Sequence, residues 1–476
     1  MMITRRELLK GAGALGVTGV GSTLASCTVA EEAKKPRPNI LLIMTDQQTS
    51  RAMSVAGNPH LRTPAMDHFA RCGVRFEQSY CTSPVCGPAR SSIITGRMPH
   101  ETGVDYNVDI PDPAIPNVGE IFREEGYRTV WGGKWHLPRM YPHKFDVEKN
   151  AIQGFELPTF FDFNQRKWDW GEMTDPPLTE MAVDFLNTYD SEDPFFLTVS
   201  YHDPHDICFY PYFPEQFRDP DGIDVLPPVP PNHSALGGEP EFVQQRRALR
   251  RYGDQLVRTE AWEEKTWRGY LYEYYRMVER IDAEIGKVLE ALRVNGLEEN
   301  TLILFTSDHG DGAAAHRWVG KLSFYEEPVT VPMVLSWKGQ IPAGVVDSHH
   351  LVSGVDIVPT LCDYAGIELS VVQRGASLGK VVRDPNANWR EHLVAELADD
   401  TGDKTRAGRM VRSAKYKYAR YSHGDQNEQL FDLESDPGET QNLAHERSLQ
   451  EVIVHHREFL KNWMLETEDD VALGLA

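Results

Sequence analysis

Positive charge is what this chain has too little of: 49 Lys and Arg stand against 71 Asp and Glu in 476 residues, a net charge of −22. A nucleic-acid partner is excluded, because neutralising a phosphate backbone needs a basic surface. The same field repels a polyanionic ligand everywhere except at a local basic pocket, and over most of the surface it serves solubility. Cysteine is sparse too. Six in so long a chain do not make the disulfide framework of a small secreted fold. Beyond the N-terminal region no apolar stretch is long enough to cross a bilayer. No internal repeat divides the sequence into modules. What is left is ordinary globular composition, 41% hydrophobic and 25% charged, in a length that buries a large core and holds more than one domain or subdomain.

The first residues read as an export signal. Thr4-Arg5-Arg6-Glu7-Leu8-Leu9-Lys10 has the form of a twin-arginine motif, and a mildly apolar Gly/Ala-rich run follows from Gly11 to Ala25. The run ends in Leu24-Ala25-Ser26-Cys27, which has the form of a lipobox. The expectation is a signal peptide over 1–26, lipid on Cys27, and a polar, proline-bearing tether over 27–37. A plain signal peptide with an incidental Cys27 is the alternative. Either places the protein in the periplasm or cell envelope, and with lipid on Cys27 it would touch a membrane only through that N-terminal anchor. With Cys27 and Cys86 set apart, Cys72, Cys81, Cys208 and Cys362 remain, and a Cys72–Cys81 disulfide is one pairing to test.

Four short apolar runs each end in polar or reactive residues. Asn39–Met44 leads to Thr45-Asp46-Gln47, Thr129–Trp131 to Gly132-Gly133-Lys134-Trp135-His136, Phe195–Ser200 to His202-Asp203-Pro204-His205, and Leu302–Thr306 to Ser307-Asp308-His309-Gly310. Near-continuous runs of this kind predict buried parallel strands. Ligands of open α/β sheets sit beyond the carboxyl ends of the strands, where all four segments fall. An apolar stripe at spacings of three and four, from Tyr274 to Leu292, predicts a helix over Tyr270–Arg293. The expected fold is α/β, a large mixed and mostly parallel sheet flanked by helices. A catalytic domain is expected over 38–374. Within it, 210–267 is a Pro- and charge-rich surface excursion, a wall or lid of the site if not an idle insertion. A C-terminal subdomain over 375–476 would carry a short antiparallel sheet, including a half-exposed strand over 415–421, and a final helix near Leu449–Glu466.

The residues at the strand ends can do ester chemistry on an oxyanion. Asp46, Gln47 and Asp308 offer oxygen ligands to a hard divalent cation, and His309 adds a nitrogen that Mn²⁺ or Zn²⁺ accepts more readily than Ca²⁺. Lys134 and Lys321 can neutralise oxyanion charge, and His136 and His205 titrate in the range that proton transfer needs. Between them lies Cys86-Gly87-Pro88-Ala89-Arg90-Ser91-Ser92-Ile93-Ile94-Thr95-Gly96-Arg97, of the form C-x-P-x-R-x-x-x-x-T-G-R. An unmodified cysteine is a poor nucleophile for sulfate, since it leaves a stable thio-adduct. A hydrated aldehyde has one hydroxyl to attack sulfur and a second to expel sulfate.

On that signature the chain resembles the formylglycine-dependent type I sulfatases, cysteine type, of the alkaline phosphatase superfamily. The resemblance runs from about Pro38 to the C-terminus. It also rests on Arg37–Asp46, Gly133–His136, Ser307–Gly310, Lys321 with Tyr325-Glu326-Glu327, Val355–Thr360 and the Leu430–Leu443 turn. It implies an alkaline-phosphatase-like fold and hydrolysis of organic sulfate monoesters, with a sulfated carbohydrate as the expected substrate. It makes Cys86 the formylglycine nucleophile, converted by a separate maturation enzyme. Asp46, Gln47, Asp308, His309 and residue 86 would bind the metal, Ca²⁺ by family habit with Mn²⁺ and Mg²⁺ as alternatives. Arg90 and Lys134 would steady the aldehyde hydrate, and His136 would be the base that releases sulfate. His205 and Lys321 would hold the substrate sulfate and protonate the leaving group, with His316 beside them. Many members carry Asp-Asp where this chain has Asp46-Gln47, and Asp-Gln and Asp-His pairs also occur in phosphonate monoester hydrolases and choline sulfatases of the same superfamily. A phosphonate or phosphate ester hydrolase is therefore the second reading. A lipoprotein that binds sulfated glycan without cleaving it is the third, and the intact set of site residues argues against it. Trp168 and Trp170 could stack on sugar rings, though core packing is the default for both.

Overall fold

The structure, a computed structural model, describes residues 37–137, 153–157, 170–235, 238–248, 251–252, 255–256, 259–398, 405–471 and 473–474. The expected signal peptide, Cys27, the tether up to residue 36 and Trp168 lie outside them, and of Trp170 only the backbone is described. Among the described residues no helix is long and apolar enough to cross a membrane.

The apolar runs are strands. β1 (Asn39–Thr45), β2 (Val74–Phe76), β3 (Arg128–Gly133), β4 (Phe195–Ser200), β5 (Thr301–Ser307), β6 (Met333–Ser336) and β7 (Val345–Asp347) form one seven-stranded sheet in the order β7-β2-β6-β5-β1-β4-β3. Only β6 runs antiparallel to its neighbours. β1 is wholly buried, and its alternating side chains feed two cores. Leu41 and Ile43 pack with Tyr270, Tyr274, Val278 and Ile281 on one face, while Ile40, Leu42 and Met44 pack with Phe122, Phe196 and Leu361 on the other. Each such buried side chain contributes roughly 1.5–3 kcal/mol.

Register decides where the site forms. Thr45 pairs with Ser307, Met44 with Ser200 and Gly133 with Ser200. Four strands therefore end level, and the next residues along the chain are Asp46, Asp308, Tyr201 and Lys134. The helix α3 (Glu264–Val294) is longer than the stripe predicted, because Trp267 and Tyr270 extend its buried face toward the N-terminus. It follows α1 (Cys86–Thr95) and α2 (Trp170–Thr188) in the chain.

From Arg37 onward the chain is one compact unit. Its C-terminal part holds an antiparallel sheet of β8 (His392–Ala398), β9 (Ala407–Ser413), β10 (Tyr416–Tyr421) and β11 (Glu428–Asp432), followed by α4 (Gln450–Thr467). One face of this sheet packs on α4 through Val411, Tyr418, Leu430, Ile453 and Leu460. The other face packs on Phe324, Tyr325 and Val329. β10 is therefore not half-exposed as its alternation predicts. Lys417 is buried too, paired with Glu439 and with Glu326 at 3.0 Å, which offsets the cost of burying its charge. The 210–267 segment is anchored where Asn232, His233, Phe242 and Val243 are buried, Phe242 stacking on Tyr421. Cys72, Cys81, Cys86, Cys208 and Cys362 are all free thiols, so Cys72 and Cys81 form no disulfide.

His100, just past the signature, ties the two sheets' surroundings together. Its Nδ1 meets Glu396 Oε1 on β8 at 2.6 Å and its Nε2 donates to the Thr467 carbonyl at 3.0 Å. Burial alone would lower its pKa, but Glu396 and Asp469 push it up to about 9. A raised folded pKa gives stability that is complete below the unfolded value near 6.5 and fades as pH rises through 9. The expected loss over that interval is ~2–3 kcal/mol. Denaturant unfolding at pH 6.5 and 9.5 should show it in the native chain and not in His100→Gln; parallel curves would dismiss the pair as a stabilising contact.

Candidate active site

The cysteine signature is a helix start. Val85 is extended, Cys86 opens α1, and Gly96 closes it in the left-handed region at φ 70°. Pro88 falls in the first turn, where no backbone donor is needed. A side chain on Gly87 would press on Asn107, whose Oδ1 instead accepts the Gly87 N–H at 2.8 Å. Arg90 lies one turn past Cys86, on the same face.

Arg90 is the central tie. Its Nη2 meets Asp46 Oδ2 at 2.9 Å and its Nε meets Asp308 Oδ2 at 2.8 Å. Its Nη1 donates to the Lys134 carbonyl at 2.7 Å and to Ser200 Oγ at 2.9 Å. One guanidinium thus locks the ends of β1, β3, β4 and β5, a use for which its planar fork of donors is suited. Its hydrogen bonds go to these groups and not to residue 86.

Around Cys86 Sγ stand Lys321 Nζ at 2.7 Å, His309 Nε2 at 3.1 Å and Asp46 Oδ1 at 3.8 Å. Lys134 Nζ is 2.7 Å from Asp46 Oδ2, and His205 Nε2 is 3.9 Å from Asp46 Oδ1. His136, at φ 60°, has a buried Nδ1 without a protein partner. The structure therefore brings together Asp46, Gln47, Cys86, Arg90, Lys134, His136, His205, Asp308, His309 and Lys321. His316 goes elsewhere. It stacks on Tyr325 at 3.8 Å, donates from Nδ1 to the Ala235 carbonyl at 2.8 Å, and faces Asn232, Glu327 and Glu439.

The charges sort the groups. Burial would raise Asp46, yet Lys134, His205, Arg90 and Lys321 hold it well below the usual carboxylate range. Burial and the charge of Asp46 push Asp308 up to about 6. Burial and Asp46 act against the Cys86 thiolate, but Lys134, Lys321 and His309 hold its pKa well below an ordinary thiol's. Burial, followed by Lys134, lowers His205, and burial lowers His136.

A divalent cation fits these residues. Donor atoms of Asp46, Cys86, Asp308 and His309 lie within 4.8 Å of one another. His309 Nδ1 donates to the Gly310 carbonyl at 2.8 Å, so Nε2 is the nitrogen that a cation would take in place of a proton. Gln47 Oε1 is inaccessible and has no protein partner. A buried acceptor left that way costs ~1–3 kcal/mol unless something pairs with it.

Sequence reasoning passed over several residues that hold this arrangement. Asp311 accepts from Gln47 Nε2 at 2.8 Å, and its place directly after Asp308-His309-Gly310 was the available signal. Ser200, at the end of its strand, binds Arg90. His202 pairs with Asp206 at 2.9 Å in the wall behind His205, with no motif to mark it beyond its neighbours.

A mostly parallel central sheet, with a cysteine at a helix N-terminus framed by two carboxylates beyond its strand ends, places the chain in the alkaline-phosphatase-like fold class. The sequence pattern of the Sulfatase family matches residues 38–367, and that of the N-sulphoglucosamine sulphohydrolase C-terminal region matches 314–466. The chain is 31% identical over 462 residues to the Delta 4,5-hexuronate-2-O-sulfatase of Bacteroides thetaiotaomicron, covering 94% of this chain and 92% of that one. A solved 2-O GAG sulfatase superposes with a TM-score of 0.80 at 28% identity, over 91% of this chain and 93% of that one. The phosphonate monoester hydrolase of Agrobacterium radiobacter shares the fold, with a TM-score of 0.76 at 22% identity over 90% and 96% of the two chains. This chain belongs to the sulfatase family. It is a sulfuric ester hydrolase, of a family that generally uses formylglycine and a divalent metal.

Proposed function

We propose that this sulfatase removes sulfate from a sulfated carbohydrate, with residue 86 as formylglycine and one divalent cation, Ca²⁺, at the end of β1 and β5. The observation that carries the reading is the position of residue 86, at a helix N-terminus between Lys321, His309 and Asp46. The relative named for a hexuronate 2-O-sulfate supports the sugar.

Formylglycine would supply the hydrated aldehyde that takes and then releases the sulfuryl group. Asp46, Gln47, Asp308 and His309 would hold the cation, which supplies Lewis-acid charge to the sulfate oxygens. Lys321 brings a compensating charge to the same oxygens, and Lys134 stays bound to Asp46 beside them. His205 and Lys321 hold the sulfate, and one of the two gives the departing sugar oxygen its proton. His136, with a free buried nitrogen, takes the proton whose loss lets sulfate go. Arg90 keeps the two carboxylates in register. Export, with lipid on Cys27, would put this activity at the cell envelope, where imported polysaccharide fragments arrive. A maturation enzyme must act on Cys86 first.

The test is paired turnover of sulfate and phosphate esters of one alcohol, with and without chelator, on protein from its native host. Sulfate should be the faster substrate. Chelation should cost at least about two orders of magnitude, the scale of metal-site transition-state stabilisation, and added Ca²⁺ should restore it. Faster phosphate cleavage would move the protein to the phosphonate and phosphate ester hydrolases. Full activity in chelator would remove the cation from the reaction.

A further inference from the structure

Gln47 is held at every polar atom but one. Its backbone N–H donates to Asp308 Oδ1 at 3.2 Å, its carbonyl accepts from the Tyr274 hydroxyl at 2.9 Å, and its Nε2 donates to Asp311 Oδ2 at 2.8 Å. Only Oε1 is left, buried and without a protein partner. The backbone itself is in the left-handed region, at φ 71°. Nothing about this residue is free to rearrange except the two faces of its amide.

We propose that Asp311 is a positioning residue for the divalent cation: by accepting from Nε2, it turns Gln47 Oε1 toward the cation held by Asp46, Asp308 and His309. The inference rests on the reading of Gln47 as a ligand. An amide can present either its oxygen or its two N–H donors to a given side, and its neighbours decide which. A carboxylate only accepts, so Asp311 admits the nitrogen and rejects the oxygen. Asp311 cannot turn away from this task. It is fully buried, and its Oδ1 accepts from the Tyr270 hydroxyl at 2.6 Å and from the Ala313 N–H at 2.7 Å.

Two consequences follow from the geometry. The Tyr270 hydroxyl also accepts from the Gly320 N–H at 3.1 Å, one residue before Lys321. A single hydrogen-bonded chain therefore joins Gln47 to Gly320, the residue before the lysine that faces residue 86. The same contact accounts for an amide at 47 in this chain. A carboxylate there would face the carboxylate of Asp311 in a buried site, and two like charges so placed repel strongly. Gln47 and Asp311 act as a matched pair, a neutral oxygen ligand with an acceptor that orients it.

Calorimetric titration of the chelator-stripped full chain with Ca²⁺ tests this apart from turnover, alongside melting of the cation-free protein. Gln47→Ala provides the reference for loss of a ligand. Asp311→Asn offers either a donor or an acceptor to the Gln47 amide and so permits it to flip. Its Kd for Ca²⁺ should rise roughly 10–100-fold, the range for partners that orient a metal ligand, while its cation-free melting temperature stays near that of the native chain. The exchanged pair, Gln47→Glu with Asp311→Asn, restores one donor and one set of acceptors, and should bind Ca²⁺ within about threefold of the native chain or tighter, well inside that range. A purely structural role for Asp311 predicts the reverse, low cation-free stability with no recovery of affinity on exchange. If Gln47→Ala weakens binding and Asp311→Asn does not, the positioning role is overturned and the ligand reading stands. If the native chain binds no Ca²⁺, the ligand reading itself falls. Should Asp311→Asn not fold, the exchanged pair decides alone: native affinity supports the pairing, and weak binding by a folded exchanged pair overturns it.

Discussion

Cys86→Ala is expected to abolish sulfate-ester turnover and leave the fold standing. The two halves of that expectation come from different features. Alanine suits the first turn of α1, Val85 makes no side-chain cap there, and only one sulfur is removed from a site that Arg90 holds by other contacts. The stability cost should be within ~1–2 kcal/mol, as for other small truncations in a buried site. Turnover should fall by at least about four orders of magnitude, the scale on which loss of a nucleophile acts. Melting of the variant establishes that its fold is intact, and full activity would end the claim for Cys86. The mass of the peptide carrying residue 86 completes the test. An aldehyde mass in the native chain identifies the group that alanine removes, whereas an unmodified cysteine would point to a host lacking the maturation enzyme.

Much of this site is legible without coordinates, because strand ends can be read from apolar runs. Once Asn39–Thr45, Phe195–Ser200 and Thr301–Ser307 are taken as parallel neighbours, Asp46, His205 and Asp308 must converge. The cysteine signature is legible for a different reason. Proline in a first helical turn and glycine at a left-handed stop are local backbone requirements. What escapes is the orientation of long side chains. Arg90 was expected to steady residue 86, and its hydrogen bonds go to four partners from four other segments. His316 follows Asp308 closely in sequence yet turns toward Asn232 and Tyr325, through a loop in which Ala313, Ala314, His316 and Arg317 all have positive φ. No periodicity announces such a loop. Lys417 reads as solvent-facing by alternation, and it is buried because Glu326 and Glu439 arrive from distant segments to pair with it.

Lys321→Ala should lose roughly two to four orders of magnitude in kcat/KM, with most of the loss in kcat, as removal of a group matched to transition-state charge does. The backbone around it is fixed independently of its side chain. Gly320 N–H is held by Tyr270, Trp318 Nε1 donates to the Lys321 carbonyl at 2.9 Å, and Leu322 N–H donates to the Pro84 carbonyl at 3.2 Å. The truncation should therefore remove one ammonium group and little else. Burial opposes the charge on Lys321, but the Cys86 thiolate and Asp46 raise its pKa above that of an ordinary lysine, so the resting site holds it as a cation. It cannot be replaced by the other cations nearby. Lys134 is paired with Asp46 and Arg90 with both carboxylates, so neither is placed to take over the contact that Lys321 makes with residue 86. Lys321→Arg should not rescue the loss, because a planar guanidinium does not reproduce a compact ammonium in a half-buried pocket. Free sulfate should also inhibit the alanine variant less strongly than the native chain. A fall in kcat/KM of under about threefold, far below what transition-state charge compensation supplies, would place Lys321 outside the chemistry.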